Sequence, residues 1–482
     1  MTNSRDGVSR RDTFLLGVGA VAATGIAGSA TAAGRSTMVD VIIVGAGFAG
    51  LNAARTLRRA GKSVLVLEAD DRVGGRTKPA QLAGETIDIG GQWVGPTQTH
   101  LLALAREFGI RPTPQYVEGD NIIDICGRKA RYKGEVPGLA SADLEAFGGA
   151  IAQLEGYAAK LKMPTPWLAK EAVDWDLLNM ESWIVANIKG EPPRSLMRVL
   201  VRALLSSEPC EASLLFMLSY IASAGGLEPL IATHGGAQDS LFPGSVWQIA
   251  HKMAAELGDA VLLNAAVQQI AQDGTHVAVT SKRGVHHGRR VIVTAPPALA
   301  SRIDYVPALP AKRDGLSQRL ALGCVIKVAL AYDRPFWREE GLTGLVISDR
   351  TEFGPWFDRG TPLTKGGALV GFFDGGPGQR WADRSPQERR VRVLDDLAIY
   401  LGDRARSPID YVEEVWTRSP YHRGGYVSVA GPGTLTGFGA ALLEPIGRIH
   451  WAGTETSDVW AGYIDGAIRS GERAAEEVMK AG

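Results

Sequence analysis

Three glycines at the spacing G-x-G-x-x-G mark a segment suited to binding the phosphates of a dinucleotide. They are Gly45, Gly47 and Gly50. The first permits a tight turn, the second lets the backbone approach a pyrophosphate, and the third lets a helix pack closely on a strand. Glu68 follows 23 residues after Gly45, near the spacing expected of a carboxylate that binds ribose hydroxyl groups. These residues predict a dinucleotide site but do not distinguish NAD from FAD.

A lysine inside an apolar run is a second candidate for chemistry. Lys327 stands in the run Val325-Ile326-Lys327-Val328. Burial of an ammonium group without a polar partner is costly. The residue type alone leaves two interpretations open: a lysine that serves a site, or one that extends its charged end to water from the end of a strand.

The segments around the glycines predict the elements that must position them. Residues Val39–Val44 are apolar and β-branched, which is typical of a buried parallel strand. A helical pattern over residues 49–60 and a strand over residues 63–67 complete a βαβ unit. Farther along, the sequence predicts mostly helices over residues 139–220, strands over 260–270, 277–281 and 290–294, a β-rich region over 320–415, and a strand, a glycine turn and a long helix over 448–480.

Composition excludes several classes of protein. The 482 residues carry a formal net charge of zero, so the basic surface of a nucleic-acid-binding protein is not expected. Cys126, Cys210 and Cys324 are widely separated, which indicates neither a metal site nor a disulfide framework. Beyond the amino-terminal region the chain has no apolar run of about 20 residues, so we expect no membrane span in the mature chain.

The first 33 residues resemble a twin-arginine export signal. Arg10 and Arg11 precede an apolar stretch over residues 14–28, and the small residues Ala30-Thr31-Ala32 offer a cleavage site. Phe14 stands one position later than the usual pattern. We therefore expect a periplasmic or exported protein, and a cytoplasmic one if this segment is not a signal.

Three further motifs resemble those of the flavin monoamine oxidase family. They cover residues 68–77, with a glycine pair and an arginine, residues 90–96, and residues 447–467 near the carboxyl end. With the glycine motif, the resemblance extends from about residue 39 to the end. It implies an α/β fold in which a Rossmann-like FAD-binding domain is interleaved with an α+β substrate domain. The expected FAD-binding domain comprises residues 38–110, 240–300 and 415–482, and the expected substrate domain residues 111–239 and 301–414.

The family resemblance also implies roles for individual residues. Lys327 would assist flavin reoxidation, and Tyr426 and Tyr463 would form an aromatic cage that orients the amine, since a cation over such a ring gains roughly 0.5–2 kcal/mol. Gly425 replaces the cysteine that binds the flavin covalently in the mammalian enzymes, so non-covalent FAD is expected. The positions implied in cofactor binding are Gly45, Gly47, Ala49, Gly50, Glu68, Gly75, Arg76, Gly91, Gln92, Trp93, Val267, Trp416, Gly453, Glu455 and Ile464.

The resemblance likewise suggests the substrate pocket and the reaction. Ile231, Gln238 and Phe372 match pocket positions, and Trp356 or Phe357 is a candidate for the entrance. The implied reaction is FAD-dependent oxidation of an amine to an imine, which water hydrolyses, with reoxidation by O2 or another acceptor.

Several alternatives remain open at this stage. They are an L-amino-acid oxidase, a polyamine oxidase using acids such as Asp239 or Glu211, and a non-catalytic FAD-binding protein. A homodimer is also left open.

Overall fold

The predicted βαβ unit forms at the amino end of the described chain. The computed structural model describes residues 38–359 and 366–481, so the predicted export signal lies outside the described residues. Strand Val39–Val44 pairs in parallel with strand Val64–Leu67, and helix Phe48–Arg59 connects them. Gly47 is the N-cap of this helix and offers no side chain to its first N–H groups. The positive end of the helix is therefore left to a ligand.

Strands from both ends of the chain join in one sheet. Ile449–Trp451 pairs in parallel with Gly284–Val293, which also pairs with Val39–Val44. Helix Ile464–Lys480 then packs on helix Phe48–Arg59 so closely that a Cβ at Gly471 would lie 2.1 Å from the Ala49 carbonyl oxygen. Within the described residues, this first sheet contains Val39–Val44, Val64–Leu67, Val261–Leu262, Val267–Gln272, Val277–Ser281, Gly284–Val293, Asp304–Val306 and Ile449–Trp451.

A second sheet carries Lys327 at its centre. Strand Val325–Tyr332 is buried along its whole length between two antiparallel neighbours, Gly367–Asp374 and Asp410–Val415. Lys327 faces Phe372 on one neighbour and Glu414 on the other in the strand register. The second sheet contains Asp120–Ile125, Arg128–Tyr132, Val325–Tyr332, Leu342–Ser348, Trp356–Asp358, Gly367–Asp374 and Asp410–Val415.

Helices between the strands supply the remaining wall of the site. The segment over residues 139–220 is mostly helical, as predicted, and its helices bury an apolar core around Trp183 and Leu215. The helices of the described residues are Phe48–Arg59, Thr99–Glu107, Ser141–Ala158, Ala172–Leu177, Met180–Asn187, Glu191–Leu205, Leu214–Ala224, Glu228–Ile231, Trp247–Leu257, Pro297–Ala300, Ala311–Arg319, Phe336–Glu339, Gly376–Ala382, Pro386–Leu401, Thr434–Phe438 and Ile464–Lys480.

Short strand pairs complete the described structure. Pro79–Leu82 pairs with Glu85–Asp88, and Leu320–Leu322 pairs with Ser428–Ala430. Ser240–Leu241 lies between Trp93–Val94 and Thr113–Pro114. Among residues 38–359 and 366–481, no helix combines the length and apolar character needed to cross a membrane. In the same ranges no group of His, Cys, Asp or Glu side chains is arranged to hold a metal ion.

Candidate active site

A cavity of about 900 Å³ extends from the glycine loop to the two predicted cage tyrosines. Both sheets and the helical segment contribute to its wall. The predicted site residues that line it are Gly45, Gly47, Ala49, Glu68, Gly75, Arg76, Gly91, Gln92, Trp93, Ile231, Gln238, Val267, Lys327, Phe372, Trp416, Tyr426, Gly453, Tyr463 and Ile464. Residues that are far apart in the sequence therefore meet in one chamber.

The glycine loop forms the phosphate end of the cavity. Gly45 has φ of +104°, a conformation that favours glycine. Gly50 lies behind the loop, where a Cβ would stand 1.9 Å from the Gly45 carbonyl oxygen. Glu68 accepts hydrogen bonds from the backbone N–H groups of Ala46 (2.6 Å) and Asp70 (2.9 Å), and burial raises the pKa of its carboxyl. The loop and the carboxyl group thus stand together, as the spacing predicts.

An ion pair between a partly buried arginine and a buried glutamate supports the middle of the cavity. The Arg76 guanidinium donates to Glu455 (2.8 Å) and to the Tyr426 carbonyl oxygen (2.6 Å). Burial raises the pKa of Glu455, but the charge and hydrogen bonds of Arg76 outweigh burial and leave that pKa below its usual value. Glu455 does not reach the cavity wall. The structure places it beside Arg76, so any effect of Glu455 on a cofactor would run through that arginine.

Lys327 is enclosed in the cavity wall and does not extend to water. Its side chain is 2% exposed, and its Nζ donates to the Gly90 carbonyl oxygen (2.7 Å) and to Gln92 Oε1. Burial lowers the pKa of the ammonium group, while the nearby Asp88 carboxylate opposes that shift. Gln92 Nε2 is buried without a hydrogen-bond partner. An acceptor atom of a bound group beside Gln92 would satisfy it.

Aromatic rings enclose the opposite end. The rings of Tyr426 and Phe372 pack perpendicular to each other, with 5.9 Å between their centroids. Tyr463 contacts Trp460 at 4.8 Å and Tyr220 at 6.0 Å. Ring faces and edges therefore dominate the surroundings of any molecule held there, which favours an apolar group attached to an amine.

The structure corrects one candidate and adds two residues. Trp356 is fully buried and stacks on Phe353, away from the cavity, whereas Phe357 lines it. Tyr220 and Asp374 also line the cavity, and sequence reasoning missed both. Tyr220 lies in an apolar helix, a pattern that predicts a core position. Asp374 could have been found from the sequence, because it is a carboxyl residue at the end of an apolar strand.

Comparison with known proteins places this geometry in a family. The sequence model of the family described as flavin containing amine oxidoreductase matches residues 48–479. The chain belongs to this family. It is 39% identical over 446 residues to the "Probable flavin-containing monoamine oxidase A" of Dictyostelium discoideum, covering 92% of this chain and 98% of that protein. It is also 39% identical over 458 residues to the "L-amino acid dehydrogenase" of Synechocystis sp., covering 92% of this chain and 95% of that protein.

A solved structure agrees with the family assignment. A putrescine oxidase structure superimposes with a TM-score of 0.89 at 33% sequence identity, covering 92% of this chain and 99% of that chain. The predicted two-domain α/β fold is thereby confirmed. As a member of this family, the chain is an FAD-dependent oxidoreductase that acts on amines. The uncapped helix at Gly47, the unpaired Gln92 Nε2 and the cavity volume of about 900 Å³ fit that cofactor.

Proposed function

We propose that this amine oxidase converts apolar primary or secondary monoamines to imines, with the amine nitrogen between Tyr426 and Tyr463. The observation that carries the proposal is the composition of the wall around the two tyrosines. Phe372 packs on Tyr426, and Ile231 and Leu345 line the same cavity. An apolar substituent of the amine gains about 25 cal/mol for each Å² of its surface that this wall covers.

Residues at different positions along the cavity would have different roles. The loop at Gly45 and Gly47 and the carboxyl of Glu68 would hold the phosphates and ribose of FAD, and Gln92 and Lys327 would face its ring system. When bound, the flavin would accept the hydride removed from the amine carbon and, with it, the two electrons of the oxidation. The protein orients the amine by means of the tyrosine rings and keeps bulk water away from it.

An amino-acid substrate would need a cation for its carboxylate. Among the described residues, the arginines on the cavity wall are Arg76, which is engaged with Glu455, and Arg302, which is exposed at the edge near Leu299. The Arg76 guanidinium is already engaged, since it donates to Glu455 and to the Tyr426 carbonyl oxygen. Asp239 and Glu211, the acids considered for a polyamine, do not line the cavity. These placements favour the monoamine proposal over an amino-acid substrate and remove Asp239 and Glu211 as the acids of a polyamine site.

Initial rates with a small substrate panel test the proposal. Benzylamine and 2-phenylethylamine are expected to give aldehyde and hydrogen peroxide with the highest kcat/KM, because their rings fit the apolar wall. Putrescine and L-phenylalanine are expected to be at least 10-fold poorer, because a second charge must be desolvated. Higher kcat/KM for L-phenylalanine or putrescine than for the two aromatic amines would refute the monoamine assignment.

We also propose that FAD is bound without a covalent bond. Residue 425, which precedes the cage tyrosine, is a glycine and has no thiol to attach the flavin. Acid precipitation of the purified yellow protein is therefore expected to leave all of the flavin in the supernatant, measured by its absorbance. Flavin that stays with the washed pellet and migrates with the denatured chain would show a covalent link.

A further inference from the structure

Four carboxyl groups line the cavity within the described residues, and they differ in burial. Glu68 lies at the glycine loop, at the end of the cavity opposite the tyrosines. Glu135 and Glu228 are exposed to solvent. Asp374 is 4% exposed and contacts the cage tyrosine Tyr426. Asp374 is therefore the buried carboxyl at the amine end of the cavity.

The position of Asp374 follows from the alternation of side chains along a strand. It ends strand Gly367–Asp374, two residues after Phe372, so both side chains point to the same side of the sheet. Asp374 Oδ1 accepts a hydrogen bond from Ser206 Oγ (2.9 Å), and Oδ2 accepts one from the Tyr426 hydroxyl (3.3 Å). Each carboxylate oxygen keeps a second lone pair for a further donor.

The charges around Asp374 leave its carboxylate without a dedicated cation. Arg202 is the cation that acts on it, and Arg202 also lies 3.8 Å from Glu208. Among the described residues, Tyr426 and Cys324 are the other titratable groups that interact with Asp374. Glu208 and Arg380 lie beside Gly376, two residues farther along the chain, and Arg380 pairs with Glu352. Burial raises the pKa of Asp374 from its usual 3.8 to about 7, although the hydrogen bonds from Ser206 and Tyr426 lower it. The group can take up a proton near neutral pH.

The substrate of the proposed reaction brings a proton that must be removed. An aliphatic ammonium group has a pKa of roughly 10, as a lysine side chain does, so about one molecule in 1,000 is uncharged at pH 7. Loss of hydride from the neighbouring carbon needs the free electron pair of the nitrogen. A buried base beside the tyrosines would supply the uncharged amine where it reacts.

We propose that Asp374 accepts the proton of the substrate ammonium group inside the cavity. An N–H bond of the ammonium breaks, its electron pair stays on nitrogen, and an O–H bond forms on the Asp374 carboxylate. The proton leaves to water after the product departs. This inference rests on the proposed amine oxidation and adds that the enzyme takes its substrate as the cation.

Proton counting tests the inference without turnover. The probe is α,α-dimethyl-2-phenylethylamine, which has no hydrogen on the carbon next to nitrogen and cannot form an imine. Its binding to the flavin-loaded enzyme is measured by calorimetry at pH 8 in buffers of different ionisation enthalpy. The parent is expected to release almost no proton, because Asp374 takes it, whereas Asp374→Asn should release about one proton per amine bound. Equal proton release by parent and variant, at any value, would overturn the proposal.

The pH dependence of turnover provides the second test. For 2-phenylethylamine, kcat/KM of the parent should fall as the pH drops below about 7, where Asp374 becomes protonated and can no longer accept a proton. In Asp374→Asn the pH below which kcat/KM falls should move up toward the pKa of the amine, so kcat/KM at pH 7 should drop about 10²-fold. The β,β-difluoro analogue, whose nitrogen is far less basic, should recover most of this loss.

Controls separate this inference from other roles of Asp374. Glu211→Gln removes an exposed carboxyl outside the cavity and should leave both the proton count and the pH profile unchanged. If Asp374→Asn lowers kcat/KM for putrescine alone, Asp374 binds a second ammonium group. That result would overturn the proposal that Asp374 accepts the substrate proton. Failure of every amine to reduce the parent's flavin would refute the proposed function itself. The proton count does not depend on flavin reduction, because its probe cannot be oxidised to an imine.

The variant is expected to fold. The pKa of Asp374 is higher in the folded protein than its usual 3.8, so its ionised form costs stability that grows between about pH 4 and pH 7. Asparagine carries no charge and can still accept the hydrogen bond from Ser206. The melting temperature of Asp374→Asn at pH 8 should therefore equal or exceed that of the parent.

Discussion

Gly50→Ala is expected to purify without flavin and with a lowered melting temperature. The alanine Cβ would stand 1.9 Å from the Gly45 carbonyl oxygen and 3.2 Å from a methyl group of Ile43. Helix Phe48–Arg59 would have to move away from the glycine loop, which removes its positive end from the phosphates. The ratio of flavin to protein absorbance measures the result, and a variant with full flavin content would contradict this account of the loop.

Two other glycines separate flavin binding from folding. Gly156 lies in helix Ser141–Ala158, and apart from the backbone of that helix no atom lies within 4 Å of an added Cβ. In Gly156→Ala the stability should therefore be unchanged or higher by up to about 1 kcal/mol. Gly47→Ala meets only the Gly75 Cα, at 3.8 Å, and Gly47 has an ordinary extended backbone. Gly47→Ala should therefore fold, yet bind FAD more weakly, because its Cβ lies on the face that the pyrophosphate approaches.

Lys327→Met is expected to slow reoxidation of the reduced flavin by about 10²-fold or more, with reduction by amine little changed. The ammonium group is held by the Gly90 carbonyl oxygen and Gln92, and its side chain is 2% exposed. A positive charge at so buried a position acts on oxygen chemistry more strongly than it would in water. Rapid mixing measures the two half-reactions separately. Equal reoxidation rates in variant and parent would remove Lys327 from the mechanism.

A second lysine on the neighbouring surface provides the matched control. Lys78 pairs with Glu414 at 2.6 Å, but its side chain is 34% exposed, and such partly exposed pairs contribute little. Lys78→Met removes the same charge by the same substitution without touching the cavity wall. Both half-reactions of that variant should run at the parent rates.

The local parts of the site could be predicted from the sequence because their signals are contiguous. The glycine loop, its strand and its helix lie within one βαβ unit, and each glycine has a separate steric reason. The burial of Lys327 was left open by residue type and depends on the sheet that surrounds it. Strand Val325–Tyr332 lies between two others, and the Lys327 side chain that it carries is 2% exposed.

The long-range parts could not be predicted in the same way. Asp374 meets Tyr426 and Ser206 across 52 and 168 residues, and no local pattern marks such a contact. Arg76 and Glu455 are 379 residues apart. Trp356 and Phe357 were indistinguishable as aromatic neighbours, because side chains alternate along a strand and only its register decides which one faces the cavity.

Anaerobic titration of the yellow protein with 2-phenylethylamine tests most directly whether this cavity performs amine oxidation. One equivalent of amine per flavin is expected to bleach the absorbance completely and to release one equivalent of aldehyde. Air should restore the colour. A flavin that stays oxidised with 2-phenylethylamine and benzylamine but is bleached by L-phenylalanine, or by no compound of the panel, would contradict the account.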